Sequence, residues 1–458
     1  MQFSICLFLL FCFTTLAIFY LFPKKARPFI LFTSSFLFYG LCDFRFLGLL
    51  ILEILLTFFI ANKISKHSDN SKKSKCYLVL GILSVLGILA GFKYFDFFLE
   101  HFSLSFKSVL LPLGISYYSF KAVSYLIDVF KKTRMVETSF VSYATYISFF
   151  PHLICGPILR SNTITEPIKK GLSYNPNLFR QGVLLLTSGL FKKIVIADRI
   201  AAYTNTIFNA PESFPSFALL LALLLFALQL YCDFGGYSEI AVGITKMFGI
   251  SCEDNFKRPY FALNIRDFWK RWHISLSSWL RDYIYIPLGG NRKGNARKFF
   301  NTLATFGVCG IWHGNALHFI LWGLWHGVFN SLTPKQDVTK FSLPTKILAF
   351  FLTFSIVLFG WLLFRIESFD ALHLFLSHLI FDFSLNISAI TNSLLPFTYA
   401  NTCMAHFLTT LIFTFILFIQ EYLQEKQKDK EYLFFGIHLF CIFLFCQTGN
   451  SPFLYANF

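Results

Sequence analysis

The sequence predicts an all-α, polytopic transmembrane bundle. Three observations carry that expectation: composition, helix-length apolar runs, and the placement of lysine and arginine between them. Of 458 residues, 55% are hydrophobic, 20% aromatic and 14% charged, which excludes an ordinary water-soluble domain. Apolar runs of roughly 18 or more residues recur, the length a helix needs to cross about 30 Å of hydrocarbon.

The first run extends from Phe3 to Phe22. No basic flank precedes it, no small-residue cleavage site follows it, and Lys24, Lys25 and Arg27 lie on its far side, so it reads as a retained membrane helix and not a removable signal. Further candidate spans are Phe29–Leu41, Phe44–Ala61, Tyr77–Leu99, Val109–Phe130, Tyr143–Leu159, Gly182–Ala197 and Phe217–Phe234. Beyond them come Phe299–Ile311, Ala316–Phe329, Ile347–Phe364, Phe407–Ile419 and Tyr432–Phe445. Several fall short of a bilayer's thickness, so about eleven crossings are expected, with added short helices that are re-entrant, buried or interfacial. The loop Pro23–Pro28 is basic, Cys42–Phe44 is not, and Asn62–Cys76 carries five lysines. Lys131, Lys132 and Arg134 continue the alternation, which puts these loops in the cytoplasm and the N-terminus outside. After Phe150 the pattern no longer assigns sides.

The net charge of +16 follows from positive-inside loops facing anionic lipid and calls for no nucleic-acid partner. Eleven cysteines, an odd number without a CxxC pair, indicate neither a disulfide framework nor a metal site. No internal repeat and no matched pair of interrupted helices marks a secondary transporter.

Ionisable groups at membrane depth are costly and therefore informative. Arg266–Gly290 reads RDFWKRWHISLSSWLRDYIYIPLGG. On helical spacing Trp269, His273, Leu276 and Leu280 share one face, and Arg266, Lys270, Ser277 and Arg281 another. An interfacial helix with snorkelling cations explains the basic face, and the pattern by itself favours that reading over catalysis. It does not explain His273 on the aromatic side, where a neutral imidazole needs a partner or a cavity. A second histidine, His313, sits between glycines in Gly310-Ile311-Trp312-His313-Gly314. Small neighbours suit a substrate tail passing the imidazole and suit close helix packing equally. The offsets of His318 and His326 from His313 do not make a metal cluster.

The motifs resemble the membrane-bound O-acyltransferase family, in the bacterial branch that includes the alginate O-acetylation and teichoic acid D-alanyl transfer proteins. They are LPLGISYYSF from Leu111, YLIDVF from Tyr125, SFFPHLICGPILR from Ser148, GLFKKIVIADRIA from Gly189 and LQLYCDFGGYSEIAVGI from Leu228. NFKRPYFALNIRDFWKRWHISLSSWLRDYIYIPLGGNR from Asn255 and GIWHG from Gly310 complete the set. The resemblance implies one integral-membrane domain over 1–458: N-terminal helices 1–105, a motif-bearing core 106–335 and C-terminal helices 336–458. It implies funnels from the two membrane faces joined by a central tunnel, with His313 catalytic and His273 its partner there. The family often has serine where this chain has Gly235, which bears on a substrate hydrogen bond and not on the reaction type.

A neutral imidazole at His313 suits a general base that takes a hydroxyl proton and returns it to a leaving thiolate, with His273 orienting the acceptor or polarising the carbonyl. Trp312, Trp269, Lys270, Arg271 and Asp233 are the expected substrate-binding residues. The cations Lys270, Arg271, Arg292, Lys293, Arg297 and Lys298 either receive phosphates of a donor or anchor the chain at the membrane. Asp233 and Asp128 read as paired structural acids that lock helices together before they read as participants in chemistry. The expected donor is an acyl thioester, acetyl-CoA or a carrier's phosphopantetheine arm, with no bound cofactor or metal. The expected acceptor is a polysaccharide, reached through an extracytoplasmic partner of the SGNH hydrolase type from the bacterial plasma membrane. D-Alanyl transfer from a carrier protein is the alternative, and a transporter with a histidine proton relay the remote one.

Overall fold

The computed structural model describes residues 5–95, 110–334, 338–384, 386–394, 403–428 and 430–445. The expected boundaries at 105/106 and 335/336, and the outer ends of the spans Tyr77–Leu99 and Val109–Phe130, lie outside the described residues. All regular structure among the described residues is helical. The chain divides into two compact units, one of residues 1–186 and 238–254, the other of residues 187–237 and 255–458.

Five stretches among the described residues are long and apolar enough to cross a membrane: Arg27–Lys66, Ser71–Lys93, Ser216–Met247, Leu343–Arg365 and Ala405–Glu425. Shorter apolar helices cover Ile5–Leu21, Phe369–Phe381 and Glu431–Phe445. The stretch Arg27–Lys66 holds two of the expected spans, Phe29–Leu41 and Phe44–Ala61, joined through the turn Phe44–Phe46. Large apolar side chains such as Leu10, Leu21, Leu83, Phe351 and Phe415 are exposed, as helices solvated by lipid require.

In the first unit, helix ends follow local chemistry. The Asn70 side chain caps Ser71–Lys93 by accepting from the Lys73 amide at 3.0 Å, and Pro28 opens Arg27–Asp43, where a missing amide hydrogen costs nothing. The span expected over Tyr143–Leu159 is not one helix. Phe140–Ser148 stops, a single turn covers Phe150–His152, and Gly156 takes a φ of +115°. Pro151 and Pro157 supply no amide hydrogen to continue the ladder. Glu53 is fully buried on Leu47–Lys66 and accepts from the Ser119 hydroxyl at 3.2 Å.

The second unit contains a hairpin of Gly294–His313 and Leu317–Leu332. Glycine lets its helices touch backbone to backbone: a Cβ on Gly310 would lie 2.3 Å from the Phe319 carbonyl oxygen, and one on Gly323 2.3 Å from that of Phe306. Small residues permit such approach in membrane bundles. Two π-helical turns, Phe191–Ala197 and Arg281–Tyr285, interrupt the regular spacing, a device frequent near functional sites. The first turn buries Lys193, whose ammonium donates to Asp198 at 2.7 Å and to Asp233 at 2.5 Å.

Candidate active site

Both motif histidines belong to the second unit and both are buried. His313 is the last residue of its helix, with Gly314 the residue beyond it. Its ring stands edge-on to Trp312, Trp322 and Phe364, with centroids at 4.8, 4.9 and 5.4 Å. The packing that brings the hairpin together therefore also fixes the imidazole.

The segment around His273 departs from the continuous amphipathic helix that its spacing suggests. Ile265–Arg271 and Ile274–Leu280 are separate short helices, with Trp272 extended and His273 left-handed at φ +43°. The cause lies in Asn255. Its carbonyl oxygen accepts from the Ile274 amide at 2.9 Å and its side-chain Oδ1 from the Ser275 amide at 3.0 Å. Those amides are thereby withdrawn from the i→i−4 ladder that a continuous helix needs. Trp269, His273, Leu276 and Leu280 thus do not form one helical face.

His273 Nδ1 lies 3.4 Å from the same Asn255 Oδ1. The Ser275 hydroxyl lies 3.5 Å from the same nitrogen; a bond to the Asn255 carbonyl needs Nδ1–H, whereas one donated by the hydroxyl needs a bare Nδ1. Burial lowers the imidazole to about 3 from its ordinary 6.5, which keeps it neutral. Phe234 meets the ring edge-on at 4.8 Å and Trp312 at 6.3 Å. One indole, that of Trp312, therefore packs against both imidazoles.

The remaining sequence candidates divide. Trp269 donates from Nε1 to His326 Nδ1 at 3.3 Å, within a cluster that includes Trp322 at 5.9 Å. Lys270 and Trp269 line a cavity of about 630 Å³ together with Arg266, Arg281, Tyr285 and Lys298. Its neighbour Arg271 is instead bound to Asp267 and Glu425, each at 3.0 Å. Of the six cations considered as phosphate ligands, only Lys270 and Lys298 line this cavity. Asp233 faces Lys193.

A region-wide match covers residues 93–359, the membrane-bound O-acyltransferase family model. The chain belongs to the membrane-bound O-acyltransferase family. It is an acyltransferase and a multi-pass membrane protein, which sets aside the transporter reading. The chain is 34% identical over 96% of its length, and 92% of the relative's, to the peptidoglycan O-acetyltransferase of Helicobacter pylori. It is 34% identical to the "Probable alginate O-acetylase AlgI" of Pseudomonas syringae pv. tomato over 77% of this chain and 70% of that protein. The teichoic acid D-alanyltransferase of Bacillus subtilis is 31% identical over 57% of this chain and 70% of that relative.

Residue patterns did not single out Asn255 or Glu425, and weighed His326 only as a metal ligand. Asn255 carried one signal: it opens the motif NFKRPYF. Glu425 follows the apolar run Phe407–Ile419 in sequence, and the structure makes it the last residue of the helix Cys403–Glu425.

Proposed function

We propose that this enzyme carries an acetyl group from a cytoplasmic thioester donor across the bacterial plasma membrane to hydroxyls of a cell-surface or secreted polysaccharide. The group passes through an extracytoplasmic acetyltransferase of the SGNH hydrolase type. The observation that carries this reading is the packing of His273 and His313 on the one Trp312 ring, which gathers two proton-transfer groups in a buried aromatic setting.

His313 acts as general base. It takes the acceptor's O–H proton as that oxygen attacks the thioester carbonyl. The C–S bond then breaks, and the proton returns to the departing thiolate. Base catalysis of this kind contributes about 10² to 10⁴ in rate. His273, held neutral, orients the acceptor or polarises the carbonyl. Arg266, Lys270, Arg281 and Lys298 around the cavity suit the phosphates of coenzyme A or of a carrier's phosphopantetheine arm.

Acetyl is favoured over D-alanyl because the O-acetylating relatives match 96% and 77% of the chain, against 57% for the D-alanyl one. Peptidoglycan and alginate, the polymers these relatives are named for, both present sugar hydroxyls. The test feeds membranes carrying the full chain with labelled acetyl-CoA or with a labelled D-alanyl carrier. Label entering polymer from acetyl-CoA alone supports the proposal. Label from the D-alanyl carrier alone overturns the choice of acyl group, and undiminished transfer by His313→Ala overturns the chemistry.

A further inference from the structure

The helix Cys403–Glu425 lies beyond the matched region 93–359, yet its last residue is bonded to both flanks of the His273 turn. Glu425 accepts from Arg271 Nη1 and Nη2 at 3.0 Å each and from Arg258 Nε at 2.8 Å. A guanidinium fork on a carboxylate fixes orientation as well as distance.

The two arginines belong to a short stretch of paired backbone. The Lys257 amide donates to the Arg271 carbonyl, and the Ile274 amide to that of Asn255, both at 2.9 Å. Arg258 and His273 are the left-handed residues of this stretch, at φ +48° and +43°. That conformation is costly for any residue with a Cβ and persists where its surroundings over-determine it. One helical turn earlier, Glu421 accepts from the Tyr231 hydroxyl and lies 3.6 Å from the Lys192 ammonium. The Tyr231 ring packs on Phe256 at 6.1 Å and Trp272 at 6.4 Å, the neighbours of the same turn.

We propose that Glu425 is a positioning residue for acyl transfer: through Arg271 and Arg258 it fixes the turn that aims His273. This rests on the reading of His273 given above. Glu425 is not among the residues that line the cavity beside Lys270, and its proposed action runs through the geometry of the imidazole.

The test measures initial rates of label transfer from acetyl-CoA in membranes carrying full-length wild type, Glu425→Gln, His273→Ala and the double variant. Glu425→Gln is expected to lower kcat about tenfold, with KM for the donor within about twofold, and to add no loss in the His273→Ala background. A wild-type kcat for Glu425→Gln beside an impaired His273→Ala overturns this proposal alone. So does an equal fractional loss in both backgrounds. A wild-type rate for His273→Ala overturns the reading of the site itself. Should Glu425→Gln fail to insert, Arg271→Lys keeps the charge and removes the fork. It carries the same expected kcat loss, and a wild-type kcat there overturns the proposal equally.

Discussion

The two histidines are held in opposite ways. His313 ends a regular helix whose partner is pressed against it by Gly310 and Gly323, with ring edges completing the enclosure. His273 sits in a left-handed turn between two short helices, tied by an amide side chain and flanked by arginines on one carboxylate. Overpacking a close contact costs about 1–3 kcal/mol, whereas a hydrogen bond fails when one partner is removed and leaves the other buried and unsatisfied. The site thus joins a sterically fixed imidazole to one fixed by polar contacts.

Substitutions can break that contrast in order of expected effect. His313→Ala should lower acyl transfer about 10²- to 10⁴-fold while inserted protein stays at wild-type amount, read by polymer acetyl content beside membrane immunoblots. Transfer within twofold of wild type would remove the base from the scheme. Gly310→Val drives a Cβ into the Phe319 carbonyl and should cost about 1–3 kcal/mol or more, seen as a lower Tm in detergent. An unchanged Tm means that the hairpin is not what fixes His313. Asn255→Ala strips the Ser275 amide of its acceptor, at about 1–3 kcal/mol, and should lower kcat with the Tm less affected than in Gly310→Val. A larger Tm drop than for Gly310→Val would reverse the contrast. The smallest effect is expected for Lys298→Ala, a several-fold rise in donor KM with kcat retained, since one phosphate contact at an open cavity is lost. A kcat loss at constant KM would move Lys298 from donor binding to the reacting centre.

Much of the fold class was legible because lipid exposure dictates composition over whole helices, so errors at single residues average out. The motif histidines were legible as polar groups in apolar surroundings. The break at Trp272 and His273 was not: helical spacing describes what a continuous helix would present, and the bonds that end this one come from Asn255, 18 positions away. The divergence of Lys270 and Arg271 was hidden for a similar reason. Both are cations on adjacent positions, and only the location of Glu425, 154 positions from Arg271, separates them. The early stop at Ser148 could be traced to Pro151, Gly156 and Pro157, but an apolar run outweighs punctuation when length alone is counted.

The sharing of the Lys193 ammonium by Asp198 and Asp233 bears on how such a sequence can drift. Removing one member of a buried ion pair costs about 3–5 kcal/mol, whereas replacing the group whole with apolar residues is often neutral. Single substitutions at these three positions therefore meet a barrier that a concerted triple exchange does not. Descendants of this chain should keep all three residues or none.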